Sequence, residues 1–358
     1  MTDIPMPSLY IGGTGVALPG APVGNDALSK AFGISEEWID LFVGTQTRHF
    51  AWDLATGDIT HTLADLCAEA AGNALAAAGL EAQDLDFLLL TTATPDLLLP
   101  ATVNEVADRL GIDHVPTYQI QAGCSGAVQA FDVSRALLAG GQRAGLILSG
   151  DLTARFMDTH RRAATMPTEE LVNYVLFGDG AGAAVVSAEP IGDGVELCGL
   201  IHCFIGLGRP PGQILDWDGS VRRSPGRQML REDYKAIEDH VPAMAAEVLW
   251  ELLDITGWKR DDVQFLLPPQ LSGRMTERIT AQLGVPELRE VSCIADTGNT
   301  GNALPLMQID QLVPALAHGE RAVTVAIESS KWIKGGMALE KTAAPGRAAG
   351  AGERGRES

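Results

Sequence analysis

Short runs of apolar residues alternate along this chain with longer segments whose apolar positions recur at helical spacing. "LYIGGTGVAL" (9–18), "DFLLLTTAT" (86–94), "AGLILSGD" (144–151) and "GAGAAVVSAE" (180–189) read as strands, and the last three are too uniformly apolar to have a solvent face. Between them "HTLADLCAEAAGNALAAAGL" (61–80) and "ATVNEVADRLGI" (101–112) read as helices. This β–α alternation predicts an α/β fold with buried central strands.

The pattern then restarts. Gly79, Asp84, Phe87 and the two leucines that follow match Gly257, Asp262, Phe265 and two leucines at an offset of 178. "DRLGI" (108–112) answers "AQLGV" (281–285) at 173, and "GCSGA" (123–127) answers "GNTGN" (298–302) at 175. Three matches in order at nearly one offset predict an internal duplication. They divide the chain into halves at 1–187 and 188–340. The tail 341–358, all Gly, Ala and charge, is expected to be disordered. Residues 152–176 interrupt the first half as an excursion.

Composition narrows the function. With 26 basic and 46 acidic residues the formal charge is −20, which disfavours nucleic acid and anionic membranes as partners. No run is apolar enough to span a bilayer, and no secretory signal is visible. Five cysteines at irregular spacing, with no C-x-x-C, argue against a disulfide framework or a zinc site. The expectation is a reduced, cytoplasmic protein with no metal.

One cysteine stands apart. "QAGCSGA" (121–127) places Cys124 between glycines where a strand gives way to a helix. A helix N-terminus there would lower the thiol pKa, and the glycines would let backbone N–H groups approach a substrate carbonyl. Cys67, Cys198 and Cys293 read instead as ordinary structural cysteines. The duplication sets Asn299 on the turn equivalent to that of Cys124.

Five stretches carry a resemblance: "SEEWIDLFVGTQTRHF" (35–50), "LLLTTATPDLLLPATVNEVADRLGI" (88–112), "QAGCSGAVQAFDVSRALLAGG" (121–141), "FGDGAGAAVV" (177–186) and "DTGNTGNALP" (296–305). Together they resemble the β-ketoacyl-acyl-carrier-protein synthase III family of the thiolase superfamily. The resemblance implies a five-layered αβαβα fold from two duplicated halves, a homodimer, and Cys124 as the nucleophile. It implies an acyl-CoA or acyl-carrier-protein thioester as substrate and no cofactor.

The chain departs from that pattern in places. The family's triad is Cys-His-Asn. Asn299 keeps the asparagine, but "FLLPPQLSGR" (265–274) sets Pro269 where the histidine belongs. Trp38 is retained at the donor-binding loop, while Phe42 stands for an arginine. Ser329 and Ser330 replace glycine near the strand that lends an oxyanion-hole N–H. Arg274 and Arg278, one helical turn apart, could meet an acidic carrier protein. His202, in an apolar strand, is expected to serve as the base, and Leu97–Leu99 and Phe156 to line an apolar acyl pocket. The implied activity is an acyltransferase of polyketide or specialised metabolism passing an acyl group through Cys124 to a small-molecule acceptor. The alternatives are a decarboxylative priming 3-oxoacyl synthase and a non-catalytic partner subunit.

Overall fold

The computed structural model describes residues 8–157, 162–192, 194–216 and 230–342. Ten strands form one continuous sheet. Across it run Thr117–Gln121, Phe87–Thr92, Ala144–Asp151, Gly180–Ser187 and Tyr10–Ala17, then Val195–Phe204, Ile333–Lys341, Arg321–Glu328, Phe265–Leu267 and Arg289–Glu290. Numbered by chain order within each half, both sets of five read 3-2-4-5-1 from their outer edge. In each half the first two contacts are parallel and the next two antiparallel. Within the sheet the halves join where Tyr10 and Ile11 pair with Glu196 and Val195. The duplication is thus present in the topology.

Three apolar clusters show the layers. Helix Leu63–Ala78 packs on the outer face of the first half, with Leu88, Leu90 and Val185 beneath it. Helix Tyr234–Thr256 packs on the outer face of the second, over Val323, Val325 and Ala338. Between the halves lie helices Gly126–Ala139 and Leu304–Leu312. Their Phe131 and Ile309 meet Phe87 and Leu89 from one half and Phe265 and Leu267 from the other. The order is helix, sheet, helix, sheet, helix.

The repeated residues are the punctuation of this plan. Gly79 and Gly257 end the two outer helices, both with φ of 69°, a conformation that only glycine adopts at no steric penalty. The carboxylates of Asp84 and Asp262 then accept from the N–H of Glu81 and Lys259, closing equivalent short turns before Phe87 and Phe265 open their strands. The C-terminal tail expected to be disordered lies, from residue 343 on, outside the described residues, as does His160 of the 152–176 excursion.

Candidate active site

The turn Gly123–Ser125 connects the strand Thr117–Gln121 to the central helix Gly126–Ala139 and carries Cys124. Its partner turn, 298–302, comes from the other half. Asn302 reaches across to donate through its side chain to the carbonyl of Ala122 (2.7 Å) and to Asp151 (2.8 Å). That approach needs Gly126: a Cβ there would lie 1.9 Å from Asn302 Oδ1. Asn299 Oδ1 accepts from the N–H of Gly301 (3.0 Å), and its Nδ2 donates to the carbonyl of Leu271 (3.2 Å).

A cavity of about 610 Å³ brings together Cys124, Asn299, Ser329, Trp38, Phe42, Arg274 and Arg278. Its mouth is built by one helix from each half. Glu36–Phe42, capped by the Ser35 hydroxyl, carries Trp38 and Phe42 with ring centroids 5.5 Å apart. Gly273–Leu283 carries the two arginines. Arg274 ties the helices together, its backbone N–H donating to the carbonyl of Val43 and its guanidinium to that of Asp40. The walls are largely aliphatic, with Val172, Leu176, Ile237, Leu271, Met275 and Ile327.

Cys124 also opens onto a second cavity of about 340 Å³. This one is more polar than the first: Thr94, Gln121, Thr153, Gln213, Glu328 and Ser330 line it beside Phe177, Leu215 and Leu230. Pro269 and Gln270 border a third, much smaller space beside the cysteine, so the position read as the family histidine's does lie against Cys124.

Several expectations need correction. The Cys124 thiol is pushed up to about 12, not lowered: burial acts first, and the carboxylates of Glu328, Asp151 and Glu232 add to it. His202 lines none of the three cavities that reach Cys124; it pairs in register with Gly335, and its Nε2 is buried without a hydrogen-bond partner among the described residues. The structure thus places it on the strand Val195–Phe204, away from the lining of those cavities. Phe156 lines a separate small cavity with Thr153, Met157 and Tyr174. Leu97, Leu98 and Leu99 are 54, 65 and 85% exposed and reach none of these spaces. Ser330 faces the second cavity while Ser329 faces the first.

Two carboxylates were not anticipated. Glu328 ends a central strand and is clamped by the turn of the cysteine. One oxygen accepts from the N–H of Gly123 (3.1 Å) and the hydroxyl of Ser125 (2.8 Å), and the other from the hydroxyl of Ser330. Glu232 lines the main cavity. Its Oε1 accepts from Gln213 Nε2 at 2.6 Å, and burial pushes its carboxyl above the usual range. Among the described residues no group of three or more His, Cys, Asp or Glu is placed to hold a metal.

Residues 118–199 match the description of 3-oxoacyl-[acyl-carrier-protein] synthase III, and 253–330 match its C-terminal part. The β-ketoacyl-[acyl-carrier-protein] synthase III of Rhizorhabdus wittichii is 32% identical over 302 residues, covering 84% of this chain and 89% of that one. This chain belongs to the 3-oxoacyl-[acyl-carrier-protein] synthase III family. Among solved structures it is similar to AbyA1, a tetronic acid condensing enzyme, with 50% identity and a TM-score of 0.90 over 93% of this chain and 99% of that one. It is also similar to a priming β-ketosynthase of a polyketide biosynthetic pathway, with 26% identity and a TM-score of 0.80 over 94% of this chain and 97% of that one. The fold is therefore the thiolase-like one, and the chain is a ketosynthase-like enzyme of an acyl-transferring, condensing family. No helix among the described residues is long and apolar enough to cross a membrane.

Proposed function

We propose that this protein joins two thioester-bound acyl units in a polyketide pathway, through an acyl-Cys124 intermediate, in the reaction that closes a tetronate ring. The observation that carries this reading is the pairing of Cys124 with Asn299 in one cavity while a proline borders the cysteine where the family histidine would stand. The 50% identity to a tetronic acid condensing enzyme gives that altered site a matching chemistry.

Decarboxylative condensation generates an enolate by losing carbon dioxide and relies on paired donors to hold it. A tetronic acid ring can be made without that step. The methylene of a 3-oxoacyl thioester is flanked by two carbonyls and is already acidic. It can attack an acyl-enzyme directly, displacing the Cys124 sulfur. If that acyl group carries a 2-hydroxyl, the hydroxyl then attacks the remaining thioester, releases the second thiol and closes the lactone. The 340 Å³ cavity, with Thr94, Gln121, Thr153 and Ser330 on its wall, offers partners to the hydroxyl of a hydroxylated acyl unit. In this reading Asn299 holds a substrate carbonyl, and N–H groups at Cys124 and at Ser329–Ser330 hold the oxyanion. Trp38, Phe42 and the two arginines receive the arm of a carrier-protein donor. The enzyme acts as a homodimer and takes its thioesters as substrates, with no cofactor of its own.

The test is a mass-resolved incubation of the purified protein with carrier-bound 2-hydroxyacyl and 3-oxoacyl thioesters. The expected result is one acyl adduct on the peptide holding Cys124, absent in Cys124→Ala, and a ring product formed with loss of both thiols and no carbon dioxide. Carbon dioxide release from a malonyl-carrier partner would make it a priming synthase. A simple ester or amide product would make it an acyltransferase, and no adduct with any thioester would leave a non-catalytic subunit.

A further inference from the structure

The thiol of Cys124 must lose a proton to be acylated and regain one when its acyl group leaves, yet no described histidine lines any of the three cavities that reach it. Pro269, beside it, has no proton to move, and the neighbouring Gln270 is held by Ser292 and Cys293. The carboxylates on those cavities are Glu328, Asp151, Glu238 and Glu232; Asp151 has both oxygens engaged by Thr92, Ala93, Thr94 and Asn302, and Glu238 pairs with Arg278. Glu328 has both oxygens engaged by Gly123, Ser125 and Ser330, so it fixes the turn.

Glu232 is held differently. The strand Leu230–Glu232 pairs with Gln213–Leu215, and this register sets Glu232 opposite Gln213, whose side-chain amide occupies one carboxyl oxygen. The other oxygen, Oε2, is buried beside the Tyr234 hydroxyl, which interacts with the carboxylate and whose hydrogen goes to Asn173 Oδ1 at 2.6 Å. Glu232 thus brings to the cavity of Cys124 and Asn299 a carboxylate with one oxygen anchored by Gln213 and the other beside the Tyr234 hydroxyl. The other titratable groups on that wall are Tyr234, Glu238, Arg274 and Arg278, of which Arg278 pairs with Glu238 and Arg274 with Glu277.

We propose that Glu232 is the catalytic acid–base of Cys124, a role that rests on the condensing reading above. In the acylation step Glu232 takes the S–H proton as the sulfur–carbon bond forms, and returns it to the departing carrier thiolate. In the condensation step it takes the C–H proton of the attacking methylene as the carbon–carbon bond forms. It then gives that proton to the Cys124 sulfur as the carbon–sulfur bond breaks. Each step leaves Glu232 as it began, with no outside oxidant or reductant. Burial, which raises the Glu232 carboxyl, brings its proton affinity closer to that of its partners.

The experiment compares wild type with Glu232→Gln, Glu232→Asp and Glu232→Ala, all as the full chain. With the thioester pair that wild type converts, Glu232→Gln is expected to slow transfer on the order of a hundredfold to ten-thousandfold. Glu232→Asp should retain part of the rate, and added formate should restore Glu232→Ala at least tenfold. A second readout needs no thioester. Iodoacetamide alkylation of Cys124, resolved by peptide mapping at pH 8.5, should be several-fold faster in Glu232→Gln, because removing a negative charge from the wall of the same cavity favours the thiolate. Slower transfer with faster alkylation in Glu232→Gln, together with rescue of Glu232→Ala by formate, is a combination that loosened packing alone does not produce. Transfer within threefold of wild type in Glu232→Gln, or alkylation no faster than wild type, overturns the assignment. If wild type forms no acyl adduct at all, the condensing reading falls, and the alkylation comparison alone decides whether Glu232 faces the sulfur.

Discussion

At Cys124 a helix N-terminus acts in one sense and three carboxylates act in the other. The helix dipole is worth about 0.3–1 kcal/mol at such a site, less than one pKa unit. Burial and the charges of Glu328, Asp151 and Glu232 push the thiol the opposite way, to about 12. The larger effect wins, so the resting nucleophile is a thiol. Thiolate fraction then grows with pH across the whole neutral range. Alkylation of Cys124 should rise about tenfold per unit from pH 7 to pH 10; a plateau near pH 8 would show that the thiol is instead activated. The readout must be peptide-resolved, because Cys198 and Cys203 are exposed and compete for reagent. At the same scale His202→Ala should leave turnover within about threefold, far short of the loss that follows removal of a positioned base. A hundredfold fall would return His202 to the site.

Two helices set the mouth of the main cavity, and their residues are half-exposed. Arg274 and Arg278 both pair with glutamates, at 3.2 and 3.6 Å, with side-chain exposures of 50 and 57%. Exposed pairs of this kind contribute little to stability. Their use is in steering a charged partner to the cavity, a contribution that salt screens. Reversing both charges should raise KM roughly tenfold for a carrier-bound thioester at low salt, with the difference shrinking at high salt. The same variant should treat an N-acetylcysteamine thioester as wild type does. Equal KM shifts for both substrates would show that the arginines shape the cavity and do not meet the carrier. At this scale much was legible in the sequence. Gly79 and Gly257 close matching helices, and the apolar runs located four strands of the first half, Tyr10–Ala17, Phe87–Thr92, Ala144–Asp151 and Gly180–Ser187, though not their order in the sheet. Glu232 was not legible. In "LREDYK" it is one charge among four, and its pairing with Gln213, 19 residues earlier, is what makes it a half-buried residue of the cavity wall. Glu328 was hidden otherwise: it ends the apolar run "AVTVAIE", where a charge normally marks the point at which a strand meets water.

The whole molecule places its chemistry at the seam between two halves, and Asp151 is the joint there. It ends a central strand of the first half and is 2% exposed. One oxygen accepts from the N–H of Ala93 (2.8 Å) and the hydroxyls of Thr92 (3.0 Å) and Thr94 (3.1 Å). The other accepts from the backbone and side-chain N–H groups of Asn302, at 2.9 and 2.8 Å, in the second half. A Cβ on Gly301 would lie 2.3 Å from the same carboxylate, and the left-handed φ of 58° at Gly301 lets the turn close over it. Through this joint the turn that carries Asn299 is locked to the turn that carries Cys124. The resemblance between the two halves predicted that they would meet; it did not show what holds them. Asp151→Ala leaves those donors facing a gap. Stranding even two or three of them should destabilise the protein by about 3 kcal/mol or more, a fall in Tm of roughly 4 °C. Acyl-adduct formation at Cys124 should fall with it at temperatures where the variant is still folded, because the two turns are no longer held in register. Lys30→Ala, which removes an exposed pair with Asp26 one helical turn away, is the control and should leave Tm within about 1 °C. An Asp151→Ala protein that melts like wild type and acylates at the wild-type rate would show that the apolar central layer alone holds the halves together.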